Sequence, residues 1–278
     1  MVRHVAKSLR MTDTDPPLVR LRRVRKAFSN GTLALEGLDL DVRRGEFLSL
    51  LGPSGCGKST ALRLAAGLAT PSAGTVEWPS GNAQARLGFV FQEPTLMPWR
   101  TVEANVRLPL QVEGVPRRDA QPRIAEALAR VGLTGFERAY PRQLSGGMKM
   151  RVSIARALVT RPHLLLMDEP FAALDEITRA RLNDDLLRLW AEERLTILFV
   201  THSVYESVFL SSRIVVMAAR PGRVVADIPV QASVPRDEEY RTSAAYMHDC
   251  RTVSAALRGA MGEPTRIPGT ARTAAYAG

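Results

Sequence analysis

Residues 46–68 read EFLSLLGPSGCGKSTALRLAAGL, and the passage from an apolar run to a glycine-rich turn to a helical pattern decides the fold. The apolar start predicts a buried strand. The later segment, 58–68, has helical spacing and is closed by Gly67 and Pro71. Between them, GPSGCGKS (52–59) has the spacing of a phosphate-binding loop. Gly52, Gly55 and Gly57 let the backbone bend so that successive N–H groups point at phosphates, and the helix N-terminus adds its partial positive charge. The predicted phosphate-facing set is Gly52, Pro53, Ser54, Gly55, Cys56, Gly57, Lys58, Ser59 and Thr60. Lys58 is placed to reach the β- and γ-phosphates, and the Ser59 hydroxyl to ligate Mg²⁺. The bland alternative is a strand-to-helix turn with a chance Gly-Lys pair, and the strand before and helix after weigh against it.

HLLLMDEP (163–170) is a second buried-strand run, ending in two acids where a parallel strand delivers side chains to a ligand crevice. Asp168 is the candidate Mg²⁺ ligand and Glu169 the candidate group that polarises an attacking water. Alone, the pair would read as a solvated acidic turn. LTILFVTH (195–202) is a third run of the same kind, and helical segments at 176–194 and 203–211 alternate with these strands. That alternation predicts a parallel sheet covered on both faces. Short bursts at 18–28 and 38–52 predict further strands near the start, whereas residues 93–160 are rich in helix formers.

Composition sets outer bounds. A chain of 278 residues with 45% apolar content supports an ordinary buried core. Two cysteines, Cys56 and Cys250, are too few for a disulfide framework. No apolar run approaches the ~20 residues needed to cross a bilayer, so the chain is expected not to span a membrane. The N-terminus carries positive charge without an apolar core, so it is not read as a secretory signal. The net charge of +10 comes almost wholly from arginine. Those arginines are interleaved with acids, as in 177–194, the pattern of a solvated helix face rather than of a nucleic-acid interface.

LSGGMKMR (144–151) closes the choice among phosphate-loop enzymes, because it resembles the signature sequence of ATP-binding cassette (ABC) proteins. The rest of that family's set falls in order around it: Phe28 as the aromatic that stacks on adenine, Gln92 as the glutamine loop, Asp175 as the aspartate loop and His202 as the switch histidine. The resemblance covers residues 18 to about 230. It implies an α/β fold: a RecA-like phosphate-loop NTPase core with a mostly parallel sheet, an N-terminal antiparallel β subdomain and an inserted helical subdomain at about 93–160. It further implies an ATP-binding domain over 18–258; from their own residues, 1–17 reads as a flexible lead-in and 259–278, which lacks apolar periodicity, as a disordered tail.

In that family two domains pair head to tail, so one chain's glycine loop and the other's signature close around the same ATP. The resemblance thus implies ATP and Mg²⁺ as cofactors, with Ser59, Gln92 and Asp168 at the metal and Glu169, Gln92 and His202 in catalysis. Ser145, Gly146 and Gly147 would face the partner's nucleotide, and Ser145 can cap the helix that Gly146 begins. Met148 stands where the family has glutamine; a thioether is only a weak acceptor, which removes a side-chain contact to the ribose. Met148, Val152, Ala155 and Val159 would pack that helix on its own subunit.

A single compact cassette, without coiled coils or a second cassette, resembles a transporter's ATPase subunit. Segments 96–110 and 196–224 are similar to ATPase subunits of nitrate, sulfonate and taurine importers. The implied partners are transmembrane permease subunits, a second copy of the chain and, indirectly, an extracytoplasmic solute-binding protein, with no nucleic acid. The implied location is the cytoplasmic face of the cell membrane. Pro98, Trp99, Val102 and Val106 are expected to line the groove for a permease helix. The alternative is a non-transport cassette ATPase acting on nucleic acid or the ribosome.

Overall fold

The computed structural model describes residues 16–79, 87–231 and 236–262. Of the expectations for the two ends, 1–17 and 259–278, residues 1–15 and 263–278 lie outside the described residues; Gly259 and Ala260 are not disordered as expected but complete the last helix, Ala244–Ala260.

The chain opens with two antiparallel strands, β1 (Val19–Ala27) and β2 (Leu33–Val42), and β4 (Ala73–Glu77) joins them in a three-stranded sheet of order β2-β1-β4. A second sheet of six strands has the order β5-β6-β7-β3-β8-β9, from β5 (Leu87–Val90), β6 (Leu164–Asp168), β7 (Thr196–Thr201), β3 (Phe47–Leu51), β8 (Arg213–Ala218) and β9 (Arg223–Pro229). The first five run parallel; β9 pairs antiparallel with β8. The predicted α/β class, with a mostly parallel sheet and an antiparallel β subdomain, is the observed one.

The unbroken apolar runs become strands because both faces of this sheet are covered. Alternate residues go to different cores. Phe47, Leu51, Leu165, Met167, Ile197 and Phe199 point to one side, and Leu48, Leu50, Leu164, Leu166, Leu198 and Val200 to the other. All are fully buried, each contributing about 1.5–3 kcal/mol of transfer free energy. The second core also holds α1 (Lys58–Ala65) and the antiparallel sheet. The first core takes in α5 (Glu176–Glu193), α6 (Val204–Leu210) and α8 (Ala244–Ala260), which follows the short α7 (Glu238–Thr242).

Residues 93–160 form the expected helical region, with α2 (Val102–Val112), α3 (Arg117–Arg130) and α4 (Gly146–Leu158). Thr101 caps α2, its hydroxyl accepting from Ala104 N–H, and Asn105 is buried at the start of the same helix. The Asn105 amide donates to the carbonyls of Met97, Arg100 and Thr101 at 3.0–3.2 Å and its oxygen accepts from Met97 N–H at 2.8 Å, which fixes the turn carrying Trp99. Val102 and Val106 are fully buried in the core beneath this turn, so they do not line a groove as expected from sequence, whereas Trp99 is 74% exposed. Among the described residues no helix is long and apolar enough to cross a membrane.

Candidate functional site

Because β6, β7 and β3 are adjacent and parallel, their C-terminal ends open onto one edge. That edge receives Asp168 and Glu169 from β6, His202 from β7 and the glycine loop from β3. Gln92 is exposed two residues past the end of β5, the strand that pairs with β6.

Gly55 and Gly57 have φ of 76° and 91°. A Cβ on Gly57 would lie 2.7 Å from Leu35 Cδ2 and 2.8 Å from the Ala34 carbonyl, and one on Gly52 would lie 2.7 Å from Cys56 Sγ and from the Met217 carbonyl. Gly52 is thus required by close approach, Gly55 by backbone conformation and Gly57 by both. The ammonium of Lys58 curls over the loop, donating to the carbonyls of Gly52 at 2.8 Å and Pro53 at 3.1 Å. It also stands 3.6 Å from Glu169 Oε1. Cys56 is fully buried, and burial pushes its thiol up from the ordinary range. It is a small packing residue of the loop, and buried thiols of this kind are inert.

The hydroxyl of Ser59 donates to Asp168 Oδ1 at 2.7 Å. Burial raises the Asp168 carboxyl, and the Ser59 hydrogen bond opposes that rise. Two oxygen donors meeting beside a phosphate loop fit a hard cation such as Mg²⁺. Glu169 adopts φ of 45°, a strained conformation for a non-glycine residue, held by donation of its N–H to Val200 O at 3.0 Å. This turn sends its Oε2 to His202 Nδ1 at 3.0 Å. Lys58, Glu169 and His202 therefore form a continuous chain of contacts. Phe28 is 43% exposed at the end of β1, with the Lys26 ammonium 5.4 Å from its ring centroid, so it is an open aromatic face rather than core. Thr60 is half-buried in the first turn of α1.

The LSGGM turn lies elsewhere. Ser145 caps α4 by accepting from Met148 N–H at 3.2 Å, and Asp175 caps α5 by accepting from Thr178 N–H at 2.9 Å. That hydrogen bond holds the Asp175 carboxyl below its usual range. The two helix starts pack on each other: a Cβ on Gly146 would be 3.4 Å from Leu174 Cδ2, and one on Gly147 would be 2.6 Å from Thr178 Cγ2. Ser145 and Gly146 are exposed while Gly147 is buried against its own subunit. Val152, Ala155 and Val159 are buried, and Met148 is half-buried against the same core. The structure thus gathers Gly52–Ser59, Asp168, Glu169 and His202 at one place and Ser145, Gly146 and Asp175 at another.

Sequence reasoning passed over two residues behind the first place, Arg179 and the buried Glu206. The signal for Glu206 was a carboxylate in the mostly apolar segment 204–210.

A phosphate loop on a parallel sheet, with two acids and a histidine on neighbouring strand ends, defines a nucleoside-triphosphate hydrolase. The family model described as ABC transporter matches residues 35–172. An aliphatic sulfonates import ATP-binding protein of Pseudomonas savastanoi pv. phaseolicola is 47% identical over 220 residues, 79% of this chain and 89% of the relative. An uncharacterized ABC transporter ATP-binding protein of Methanocaldococcus jannaschii is 48% identical over 221 residues, 78% of this chain and 82% of the relative. Among solved structures, cbiO1 from Clostridium perfringens, part of an ABC transporter complex, aligns with a TM-score of 0.70 at 27% identity, covering 81% of this chain and 93% of that one. A dimeric ABC transporter cassette in a post-hydrolysis state bound to ADP and Pi aligns with a TM-score of 0.66 at 32% identity, covering 77% of this chain and 99% of that one. The chain belongs to the ABC transporter family, as an ATP-binding subunit that hydrolyses ATP.

Proposed function

We propose that this ATPase is the nucleotide-binding subunit of an importer, coupling ATP binding and hydrolysis to uptake of a small solute of the nitrate, sulfonate or taurine kind. The solute would pass through separate permease subunits, with an extracytoplasmic binding protein delivering it, and the subunit would sit at the cytoplasmic face of the membrane. The import relatives support the solute class. In this reading residues 18–258 form the ATP-binding domain, with about 93–160 as its helical arm.

Phe28 stacks the adenine, and Gly52–Thr60 hold the phosphates. Ser59, Gln92 and Asp168 would hold Mg²⁺, which would neutralise phosphate charge. Glu169 orients the attacking water, and His202, already hydrogen bonded to it, fixes its carboxylate. Ser145, Gly146, Gly147 and Asp175 serve the ATP of a second copy packed head to tail; Gly147 does so by letting α4 pack closely on Thr178 rather than by facing the ligand. The exposed Ile177 and Tyr205, at 67% and 61%, suit a surface that such a copy covers. A groove of about 470 Å³ lined by Phe89, Phe91, Leu108, Pro109 and Val112, with Trp99 in the segment leading into α2, suits a permease helix.

The observation that carries the reading is the Lys58–Glu169–His202 chain of contacts at the strand ends. Glu169→Gln keeps the shape but removes the carboxylate that orients water. ATPase rate should fall by ~10² to 10⁴ while ATP binding persists; a fully active Glu169→Gln protein would place the base elsewhere.

A further inference from the structure

Behind the contact between Glu169 and His202 lies a small cavity of about 10 Å³, lined by Glu169, Phe171, Arg179, Thr201, His202 and Glu206. Glu206, from the first turn of α6, is 8% exposed. Its Oε2 accepts the hydroxyl hydrogen bond of Thr201, and Thr201 Oγ1 accepts from Ser203 N–H at 3.0 Å. Its Oε1 is buried and meets no protein donor.

The guanidinium of Arg179, on α5, complements it. One terminal nitrogen donates to the Leu174 carbonyl at 2.8 Å, beside the Asp175 turn, and its Nε is buried without an acceptor. An orphaned carboxylate oxygen and an orphaned guanidinium N–H are each costly, and they line one space. That space has the volume of a single water, which needs polar partners of this kind.

We propose that Glu206 and Arg179 hold one water between them in this cavity, and that Glu206 is a positioning residue for ATP hydrolysis. The water accepts from Arg179 Nε–H and donates to Glu206 Oε1. The bridge then runs from the Leu174–Asp175 turn through Arg179, water and Glu206 to Thr201, the residue before His202. It sets where the His202 ring meets Glu169, and it ties that position to the surface turn proposed to face a second copy. The inference rests on Glu169 and His202 being the hydrolytic centre.

Two measurements test it. In a crystal structure of the full chain that resolves ordered solvent, a water should lie within hydrogen-bond distance of both Glu206 Oε1 and Arg179 Nε; direct contact of the two side chains, or an empty cavity, overturns the bridge. In kinetics, Glu206→Gln retains an acceptor for Thr201 but removes the charge facing Arg179. Its kcat should fall roughly 10- to 100-fold while KM for ATP and the affinity for a non-hydrolysable ATP analogue stay within about twofold. Arg179→Gln should behave alike, and the double variant should be no worse than the worse single one, because both break one bridge. Wild-type kcat in Glu206→Gln, or losses that multiply in the double variant, overturns the positioning role. Should Glu206→Gln fail to fold, Arg179→Gln carries the kinetic test. The Glu169→Gln protein separates the two readings: if it is inactive while Glu206→Gln is fully active, only this inference falls, and if it is active, the hydrolytic centre itself is misplaced.

Discussion

Gly55 and Gly57 share left-handed backbone conformations, yet a side chain would meet different surroundings at each. A Cβ on Gly55 enters open space, whereas one on Gly57 lies 2.7 Å from Leu35 Cδ2 and 2.8 Å from the Ala34 carbonyl. Gly55→Ala should therefore cost only the backbone penalty, about 1–2 kcal/mol. Gly57→Ala must also displace β2 or the N-terminus of α1, so its loss of stability should be the larger, about 2–4 kcal/mol once the backbone strain is added to the contact. The shift falls on the amides that face phosphate, so ATP affinity should drop with it. Urea unfolding and equilibrium nucleotide binding on the two variants check this; equal effects would show that the approach of Leu35 does not matter. Strain of the same backbone type occurs at Glu169, where φ is 45°, and there the turn aims a carboxylate at Lys58 and His202.

Between elements, the two sheets are joined through Arg213 on β8. Its guanidinium pairs with Glu46 at 3.0 Å before β3, with Asp227 on β9 at 2.8 Å, and donates to the Asp41 carbonyl on β2 at 3.1 Å. Glu46 is 1% exposed, and burial raises its carboxyl while the charge of Arg213 lowers it. Arg213→Met leaves that carboxylate buried without its cation, a change that typically costs about 3–5 kcal/mol. The folded value of Glu46 already lies above its unfolded one, so the folded state binds its proton more tightly and this group's contribution to stability falls as pH rises between the two. Without Arg213 the folded value climbs further. The variant's deficit should thus be larger at neutral pH than in acid, shrinking as pH falls toward the unfolded carboxylate range near about 4. Urea unfolding at several pH values reads this directly, and a deficit independent of pH would exclude Glu46 as its source. The strands that carry the site were legible in the sequence because a parallel strand buried on both faces is an unbroken apolar run, as in LLLM and TILFV. Elements with weaker signals were not singled out. β4 is mostly exposed, β5 has four residues and contains Gly88, and β9 is an antiparallel edge strand with no fully buried position. Arg179 and Glu206 were passed over for another reason: charged residues on helices read as solvated until the packing places them behind Glu169.

For the whole molecule, the separation of the Ser145–Gly146 turn from the loop at Lys58 within one chain leads to the proposed shared site, and it fixes which variants can test it. Gly147 would be a poor probe, because its Cβ would strike Thr178 of the same subunit at 2.6 Å and damage folding as well as function. Gly146 is exposed and has ordinary contact distance to Leu174, so Gly146→Asp should fold and place a carboxylate where a partner's γ-phosphate would come, disfavouring closure by like-charge repulsion. Lys58→Ala removes the phosphate charge from the loop. Each variant should be inactive as a homodimer. A mixed dimer of the two holds one site built from the intact loop of the Gly146→Asp chain and the intact signature of the Lys58→Ala chain, beside one doubly damaged site. If the signature serves its partner, activity should rise above both homodimers, to at most about half of wild type for independent sites. If it serves its own chain, both sites stay broken. Pairing wild type with a chain carrying both substitutions reverses the expectation, since a shared arrangement then puts one lesion in each site and gives no activity, whereas a self-contained one leaves the wild-type chain working. Differently tagged chains purified as mixed dimers and assayed for ATPase would decide it: an inactive first pairing with an active second would overturn the shared site.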